Sequence, residues 1–314
     1  MTKSFRCSPV LFLIFNRPEQ TKRVFARIRQ ARPEKLFVAA DGPRIDRIDE
    51  ERLCTEARGV IEQVDWPCEI KTLIRGQNLG CRQAVSSAIT WFFESVEAGI
   101  ILEDDCLPDL SFFSFCTELL ARYQNDDRVG MISGNNFGSK LYNAELSYSF
   151  SRHGLIWGWA TWKRAWDCYK TDFNELSPME IDLIKSNISQ NRRFVDYWWK
   201  GAAAAINGDL DTWDYLWGVT RYRNNYLVVR PKANLVANIG FGVSSTHTAG
   251  VANELYIKTQ SVEFPLKHPN IVVPDKISDD ILELRLMGKS SSPLHIAVNM
   301  LIGIKTYLGK LPNR

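Results

Sequence analysis

Short apolar runs alternate with longer segments of helical periodicity along the first 135 residues of the chain. The runs end in turn-forming residues, a pattern typical of strands that are buried on both faces. They predict strands at 9–15, 36–40, 69–74, 99–103 and 129–133. The segments between them predict helices at 18–30, 44–64, 81–97 and 110–124. This alternation predicts an α/β fold with a mixed, mostly parallel sheet flanked by helices.

The alternation becomes irregular after residue 140, although further elements are still indicated. Strands are predicted at 148–151, 226–230 and 235–238, and helices at 176–206 and 213–223. Prolines at 265, 269 and 274 then mark a break in the chain. We therefore predict one domain over 1–265 and a C-terminal extension over 266–314.

The extension carries an almost wholly apolar stretch at 294–308, which Ser292 and Pro293 start as a helix. A helix of about 15 residues is about 22 Å long, which is too short to cross a bilayer. Three roles stay open for this helix: packing on its own domain, pairing in a homodimer, or peripheral contact with an anionic membrane surface.

The composition adds limits on partners and location. Hydrophobic residues make up 45% and charged residues 24% of the 314 positions, which is ordinary for a soluble globular protein. A net charge of +3 is too small to indicate a nucleic-acid partner. The seven cysteines form no CxxC pair, and no signal peptide or membrane-spanning run is evident. We expect a cytoplasmic protein, which the apolar helix could bring to the inner face of the membrane.

A run of acids follows the predicted strand at 99–103. Ile100 to Leu102 are apolar, and the next three residues are Glu103, Asp104 and Asp105. Like charges at a buried strand end repel one another unless a cation lies among them. Hard oxygen ligands suit Mg²⁺ and Mn²⁺, which often hold substrate phosphates through one or two carboxylates. The triplet therefore predicts a divalent-metal site, and the alternative is an acidic turn with solvated side chains.

Polar residues also follow the other predicted strands, namely Arg17, Asp41 and Asn78. Because ligands bind at the carboxyl ends of strands in parallel sheets, we expect these residues to converge with the triplet on one edge. Pro108 is expected to prevent further strand pairing after the triplet. Neither a GxGxxG motif nor a P-loop occurs, so the common dinucleotide and P-loop folds are not indicated.

An ordered set of short motifs extends over about residues 8–248. Its members are Phe15-Asn16-Arg17, Ala40-Asp41-Gly42, Glu103-Asp104-Asp105, Trp213-Asp214, and Phe241-Gly242 before a serine-rich loop. The set resembles nucleotide-sugar glycosyltransferases of the GT-A fold, in the branch of N-acetylglucosaminyltransferase I and its bacterial relatives. The resemblance implies a nucleotide-binding half at 1–140 and an acceptor half at 141–265. It also implies inverting transfer of a sugar, such as N-acetylglucosamine, from a UDP-sugar to a carbohydrate or lipid-linked glycan.

The resemblance further implies a Mn²⁺ or Mg²⁺ ion and a role for each matching residue. Asp41 would accept the uracil imide hydrogen, and Arg17 would lie near the base or the phosphates. Glu103 and Asp104 would face the ribose and donor sugar, and Asp105 would bind the metal with Asp104 beside it. The loop containing Ser244 and Ser245 would close over the diphosphate.

Three other residues keep two interpretations. Asn78 and Arg82 either contact the nucleotide or cap and solvate the start of a helix. His247 is either a second metal ligand, since neutral imidazole is a good one, or a loop histidine with ordinary hydrogen bonds.

An inverting transferase needs a general base that lies across the sugar from the metal. The family has two adjacent aspartates after the tryptophan, and the second is the base. Here Trp213-Asp214 is followed by Tyr215, so either Asp214 or Asp211 takes that role. An aspartate in the first turn of a helix, stabilised by the helix dipole, is the alternative for Asp214.

Two other classes of protein stay open. A sugar-1-phosphate nucleotidyltransferase usually carries a glycine-rich basic loop after its first strand, and this chain has Asn16-Arg17-Pro18-Glu19 there. A non-catalytic module that binds nucleotide or carbohydrate would keep the fold without turnover, and the departure at Tyr215 keeps that class open.

Overall fold

The computed structural model describes residues 6–137, 145–173, 175–240 and 258–287. Within these residues an eight-stranded sheet has the order β3-β2-β1-β4-β8-β6-β9-β7, and β5 and β10 form a separate ladder. The strands are β1 Val10–Ile14, β2 Lys35–Ala40, β3 Glu69–Ile74, β4 Ala98–Glu103, β5 Cys106–Pro108, β6 Val129–Ser133, β7 Tyr148–Ser151, β8 Trp159–Trp162, β9 Leu227–Pro231 and β10 Val236–Asn238.

The first four strands of that order are parallel, as the apolar runs predict. Beyond them β8 pairs antiparallel with both β4 and β6, while β9 pairs parallel with β6 and antiparallel with β7. Four of the seven pairings are therefore parallel. The predicted class, a mixed and mostly parallel sheet flanked by helices, is confirmed.

Helices cover both faces of the sheet. Successive side chains of a buried strand point to opposite sides, so both faces carry apolar side chains that must be covered. Phe12 of β1 faces the side covered by α1 and α4, whereas Leu11 faces α3, α5 and α8. The described helices are α1 Pro18–Ala31, α2 Glu50–Arg58, α3 Gly80–Phe93, α4 Leu110–Arg122, α5 Lys163–Trp166, α6 Pro178–Ile188, α7 Arg192–Asn207, α8 Asp214–Arg223 and α9 Lys276–Leu286, with a 3-10 helix at Gly59–Gln63. In the described part of the chain, no helix combines the length and apolar character needed to cross a bilayer.

The predicted helix over 176–206 is wrong in one respect, because two helices occupy that range. Ser189 is extended, and the Asn191 side chain accepts a hydrogen bond from the Phe194 N–H to begin α7. A side-chain cap of this kind satisfies a free donor at a new helix start and so favours a break. The helix predicted over 44–64 is likewise shorter, since α2 begins only at Glu50.

Pro108 does not prevent strand pairing, which corrects the prediction from the sequence. It forms the end of β5, and it lies opposite Val236 in the antiparallel ladder with β10. A proline is tolerated there because a two-stranded ladder has free edges on which no N–H is needed.

Residues 266–287 pack on the main sheet, while the boundary at 265/266 stays a prediction. Leu266 belongs to the core on the α1 and α4 side of the sheet. On α9, Asp279 lies 3.2 Å from Arg230 of β9, and Arg230 is completely buried. The predicted helix over 294–308 lies outside the described residues.

We expect Asp279→Asn to lower the free energy of unfolding by about 3 kcal/mol, because it leaves the Arg230 guanidinium buried without its counter-charge. Urea denaturation of the purified variant gives this value. Asp280→Asn is the matched control, since Asp280 is on the same helix, half exposed and 3.7 Å from Lys276. It should cost no more than about 0.5 kcal/mol. Equal losses in the two variants would contradict a stabilising role for the buried pair.

Candidate functional site

The acidic triplet lies at the carboxyl end of β4, next to the end of β1. The Phe15 N–H donates to Asp104 Oδ2 over 3.1 Å. Arg17, at the start of α1, places Nη1 2.6 Å from Asp105 Oδ2 and 3.5 Å from Asp104 Oδ1. Two strand ends that pair in parallel thus bring one guanidinium against two of the three acids. The predicted meeting of Arg17 with the triplet is present in the structure.

Charge is concentrated at this edge. Burial, followed by the neighbouring carboxylates, raises the pKa values of Glu103 and Asp104 well above their ordinary range. Arg17 acts in the opposite direction on both groups, and Asp214 adds to the negative charge felt by Glu103. A cation bound here would relieve this repulsion.

The β5–β10 ladder brings a second part of the chain to the same point. The Ile239 N–H donates to the Asp105 carbonyl over 2.8 Å. A Cβ on the next residue, Gly240, would come within 2.3 Å of Asp105 Oδ2 and 3.0 Å of Arg17 Nη1. The backbone of Gly240 therefore packs directly on the Arg17–Asp105 ion pair, and only glycine fits.

The triplet offers oxygen ligands, but it is not a complete protein cage for a metal. Among the residues described, no group of three or more His, Cys, Asp or Glu side chains is arranged to hold an ion. Asp104 and Asp105 nevertheless present carboxylate oxygens beside the Arg17 guanidinium. Such a donor set fits Mg²⁺ or Mn²⁺ held by one or two carboxylates together with substrate phosphates and water.

Asp41, at the end of β2, is 9% exposed, and its carboxylate is already hydrogen-bonded to neighbouring residues. Its carboxylate accepts from the N–H groups of Gly42 and Leu79 and from the Asn78 amide, at 2.9–3.1 Å. The Asn78 amide also donates to the Gly42 carbonyl. Burial nevertheless raises the pKa of Asp41. These bonds fix the loop before α3 against β2, and Asn78 Oδ1 also accepts from the N–H of Gly80, the first residue of α3.

Asp211 and Arg82 both serve the start of α3. Asp211 accepts from the N–H groups of Cys81 and Arg82 at 2.9 and 3.1 Å, so it supplies a cap from a distant loop. Gly80 adopts a φ of +78°, and a Cβ there would lie 2.6 Å from Asp211. The Arg82 guanidinium donates to the carbonyls of Ala205 and Thr171. Both residues thus join α3 to parts of the chain near 171, 205 and 211.

Asp214 begins α8 and points one oxygen at its own chain. Its Oδ1 accepts from the Thr212 hydroxyl and from the Tyr215 N–H. The preceding Trp213 is buried and stacks on Trp159 of β8, with ring centroids 5.5 Å apart and planes at 18°. A rigid aromatic layer therefore positions Asp214. The second carboxylate oxygen of Asp214, Oδ2, makes no hydrogen bond with any residue that the structure describes.

Cys81 marks the centre of this edge, and sequence reasoning missed it. Burial, together with Glu103, Asp214, Asp211 and Asp41, raises the pKa of its thiol. Those four carboxyl groups act on a single side chain from three segments of the chain, namely the ends of β2 and β4 and the segment 211–214. The position of Cys81 directly after the predicted helix start was the signal available in the sequence.

A second group missed from the sequence lies at the start of α2. Glu50 is 3% exposed and accepts from the Asn16 amide, the Arg44 N–H and the Arg44 guanidinium. The hydrogen bonds from Arg44 hold the pKa of Glu50 below its ordinary value. The Arg44 guanidinium also lies 5.6 Å from the Phe15 ring centroid. Predicted loop residues Ser244, Ser245 and His247 lie outside the described residues.

Comparisons with known proteins add little to this geometry. No protein-family model matches the chain, and no curated protein matches it. Among solved structures, HddC from Yersinia pseudotuberculosis is 10% identical with a TM-score of 0.31, covering 50% of this chain and 77% of that one. The 4-diphosphocytidyl-2C-methyl-D-erythritol synthase from Anaerococcus prevotii is 7% identical with a TM-score of 0.30, covering 52% and 75%. A UDP-glucose pyrophosphorylase complexed with UDP-glucose is 13% identical with a TM-score of 0.25, covering 46% and 62%. Similarity at this level assigns no function.

Proposed function

We propose that this protein is a metal-dependent inverting glycosyltransferase, which moves a sugar from a UDP-sugar to a carbohydrate or lipid-linked glycan. The observation that carries the proposal is the meeting of Arg17, Glu103, Asp104 and Asp105 at one sheet edge, with Asp214 in electrostatic range of Glu103. Cation-binding acids and a separate carboxylate are the two groups that inverting transfer requires. They come here from different halves of the chain.

Asp105 and Asp104 would hold the divalent ion, and Arg17 would pair with a phosphate. When bound, Mn²⁺ or Mg²⁺ supplies positive charge that neutralises the leaving diphosphate. Arg17 can approach a phosphate without a large movement, because its guanidinium already lies at the end of β4. Ser244, Ser245 and His247 stay predicted contacts of the diphosphate and the metal.

Glu103 would face the ribose and donor sugar, as expected for the residue that ends β4. Asp41 would contact uracil from the side of β2, in addition to the three donors that its carboxylate already engages. Asn78 and Arg82 would act through the shape of the loop rather than by contact with nucleotide, since their polar groups bond to Asp41, Gly42, Ala205 and Thr171.

Asp214 is the better candidate for the base. Both oxygens of Asp211 accept backbone N–H groups at the start of α3, so both are already used in capping that helix. Asp214 uses only Oδ1 in hydrogen bonds with the described residues, so Oδ2 is available to a hydroxyl of the acceptor. The bond from Thr212 fixes the plane of the carboxylate, which favours proton transfer at a defined position.

The class of reaction can be tested by its products. We expect slow release of UDP from a panel of UDP-hexoses and UDP-N-acetylhexosamines with Mn²⁺, and no pyrophosphate from UTP with sugar 1-phosphates. Chromatography of the nucleotides measures both. Pyrophosphate formation would identify the nucleotidyltransferase class instead, and failure to turn over any of these substrates would favour the non-catalytic module.

The metal site predicts that Mn²⁺ strengthens UDP binding, because the acids alone repel the diphosphate. We expect Asp105→Asn to reduce this Mn²⁺-dependent gain in affinity by about 10-fold or more. Isothermal titration of UDP in Mn²⁺ and in EDTA gives both affinities.

Asp109→Asn is the matched control for that titration. Asp109 lies four residues away and caps α4 by accepting from the Ser111 N–H, which asparagine can also do. Its Mn²⁺-dependent gain should equal that of the wild type. Equal UDP affinity of the wild type in Mn²⁺ and EDTA would rule out the metal site.

The assignment of the base predicts a loss of turnover without a loss of binding. Asp214→Asn keeps the shape of the side chain and removes its basicity, so kcat should fall by at least about 10²-fold while the Kd for the donor stays nearly unchanged. Asp211→Asn should cost much less. Steady-state kinetics and donor titration measure the two quantities. An inactive Asp211→Asn beside an active Asp214→Asn would reverse the assignment.

A further inference from the structure

An open groove of about 990 Å³ lies on the outer side of α3, apart from the acidic edge. One wall is the α3 stripe from Gln83 to Trp91 with Glu94 just after the helix, and the other is formed by 169–173, 175–176 and the start of α6. Its volume is at the upper end of the range for small-molecule sites, which suits a ligand larger than one sugar ring.

Two aromatic side chains line the groove and are held rigidly. The Tyr169 ring stacks on Trp166, with centroids 4.3 Å apart and planes at 7°. Trp91 is partly exposed and packs edge-on against Phe37 at 5.4 Å. Fixed aromatic rings beside polar groups bind the apolar faces of sugar rings at low entropic cost.

The charges of the groove exclude anions. Its lining contains four carboxylates and two cations, and one of the cations, Arg223, pairs with Glu180 over 3.0 Å. A nucleotide or phosphorylated ligand would be repelled by the excess of acids. A neutral ligand rich in hydroxyl groups would find carboxylate acceptors, such as Glu94 and Glu175, that form strong charge-assisted hydrogen bonds.

The groove is joined to the acidic edge by direct contacts. Arg82 donates from the start of α3 to the Thr171 carbonyl in the groove wall. Trp166, on which Tyr169 stacks, lies 6.4 Å from Trp213, the residue before Asp214. The wall of the groove is therefore tied to the segment that carries Asp214.

From these contacts we infer that the groove binds the remote sugars of a neutral oligosaccharide, which is the acceptor chain of the reaction. The role as an acceptor rests on the proposed function. Binding of a neutral oligosaccharide in the groove does not depend on the proposed function, because this binding needs neither the metal nor the donor.

A printed array of neutral oligosaccharides tests the inference, with fluorescently labelled protein and no nucleotide present. We expect the wild type to bind a subset of the array. Trp91→Ala and Glu94→Gln should each reduce that signal by about tenfold, through loss of a ring contact and of a charged acceptor respectively. Glu94→Gln is a surface change, so its result stands even if loss of the Phe37 contact impairs folding of Trp91→Ala.

Controls separate this inference from the proposed function. Trp199→Ala removes a half-buried tryptophan that packs with Lys185 on α6, outside the groove, and should keep the wild-type signal. A blank array for the wild type, unchanged binding by Glu94→Gln, or binding confined to lysine-rich peptides printed on the same slide would overturn the inference. If the wild type binds oligosaccharides on the array but does not bind UDP, the proposed function is wrong and the glycan site still stands.

Discussion

The concentration of acid at the end of β4 is the constraint on which the rest of this sheet edge depends. A fully buried apolar strand ends in three carboxyl groups, and burial of unpaired charge is strongly unfavourable. Several features of the fold contact these carboxyl groups: the Phe15 N–H, the Arg17 guanidinium and the ladder that brings Gly240 onto the ion pair. The pKa values of Glu103 and Asp104 are raised beside these contacts, first by burial and then by the neighbouring carboxylates. An edge left in this condition favours cation binding.

Many of the polar side chains around the edge form hydrogen bonds within the protein, and these bonds position other groups. Asp41 and Asn78 fix the loop before α3, while Asp211 caps that helix and Arg82 links it to the Ala205 carbonyl of α7. Side chains held in this way reduce the reorganisation needed when a ligand binds. They also bring three segments distant in sequence close enough for their carboxyl groups to act on a single residue, Cys81.

Local features of the fold could be predicted from the sequence, and long-range pairings could not. The buried strands of the first half and the helix cap at Asp109 follow from apolar runs and capping residues, which act within a few positions. Insertion of β8 between β4 and β6, and the ladder that includes Pro108, depend on partners up to about 130 residues away. In the candidate site, Arg17 and the triplet could be predicted because each directly follows a predicted strand. The use of Asp211 as a cap for α3 could not be seen, because no local signal joins residues 81 and 211.

The two regions of the proposed site distinguish ligands by charge. A free diphosphate that approaches the edge meets three carboxyl groups against one guanidinium, whereas a diphosphate that carries a divalent ion meets attraction. Metal and nucleotide should therefore bind cooperatively, and by linkage each must raise the affinity of the other equally. The groove beside α3 also has an excess of acid, with four carboxylates against two cations, so it repels a free diphosphate. A metal bound at the triplet would thus keep the donor at the sheet edge and leave the groove open to a neutral chain.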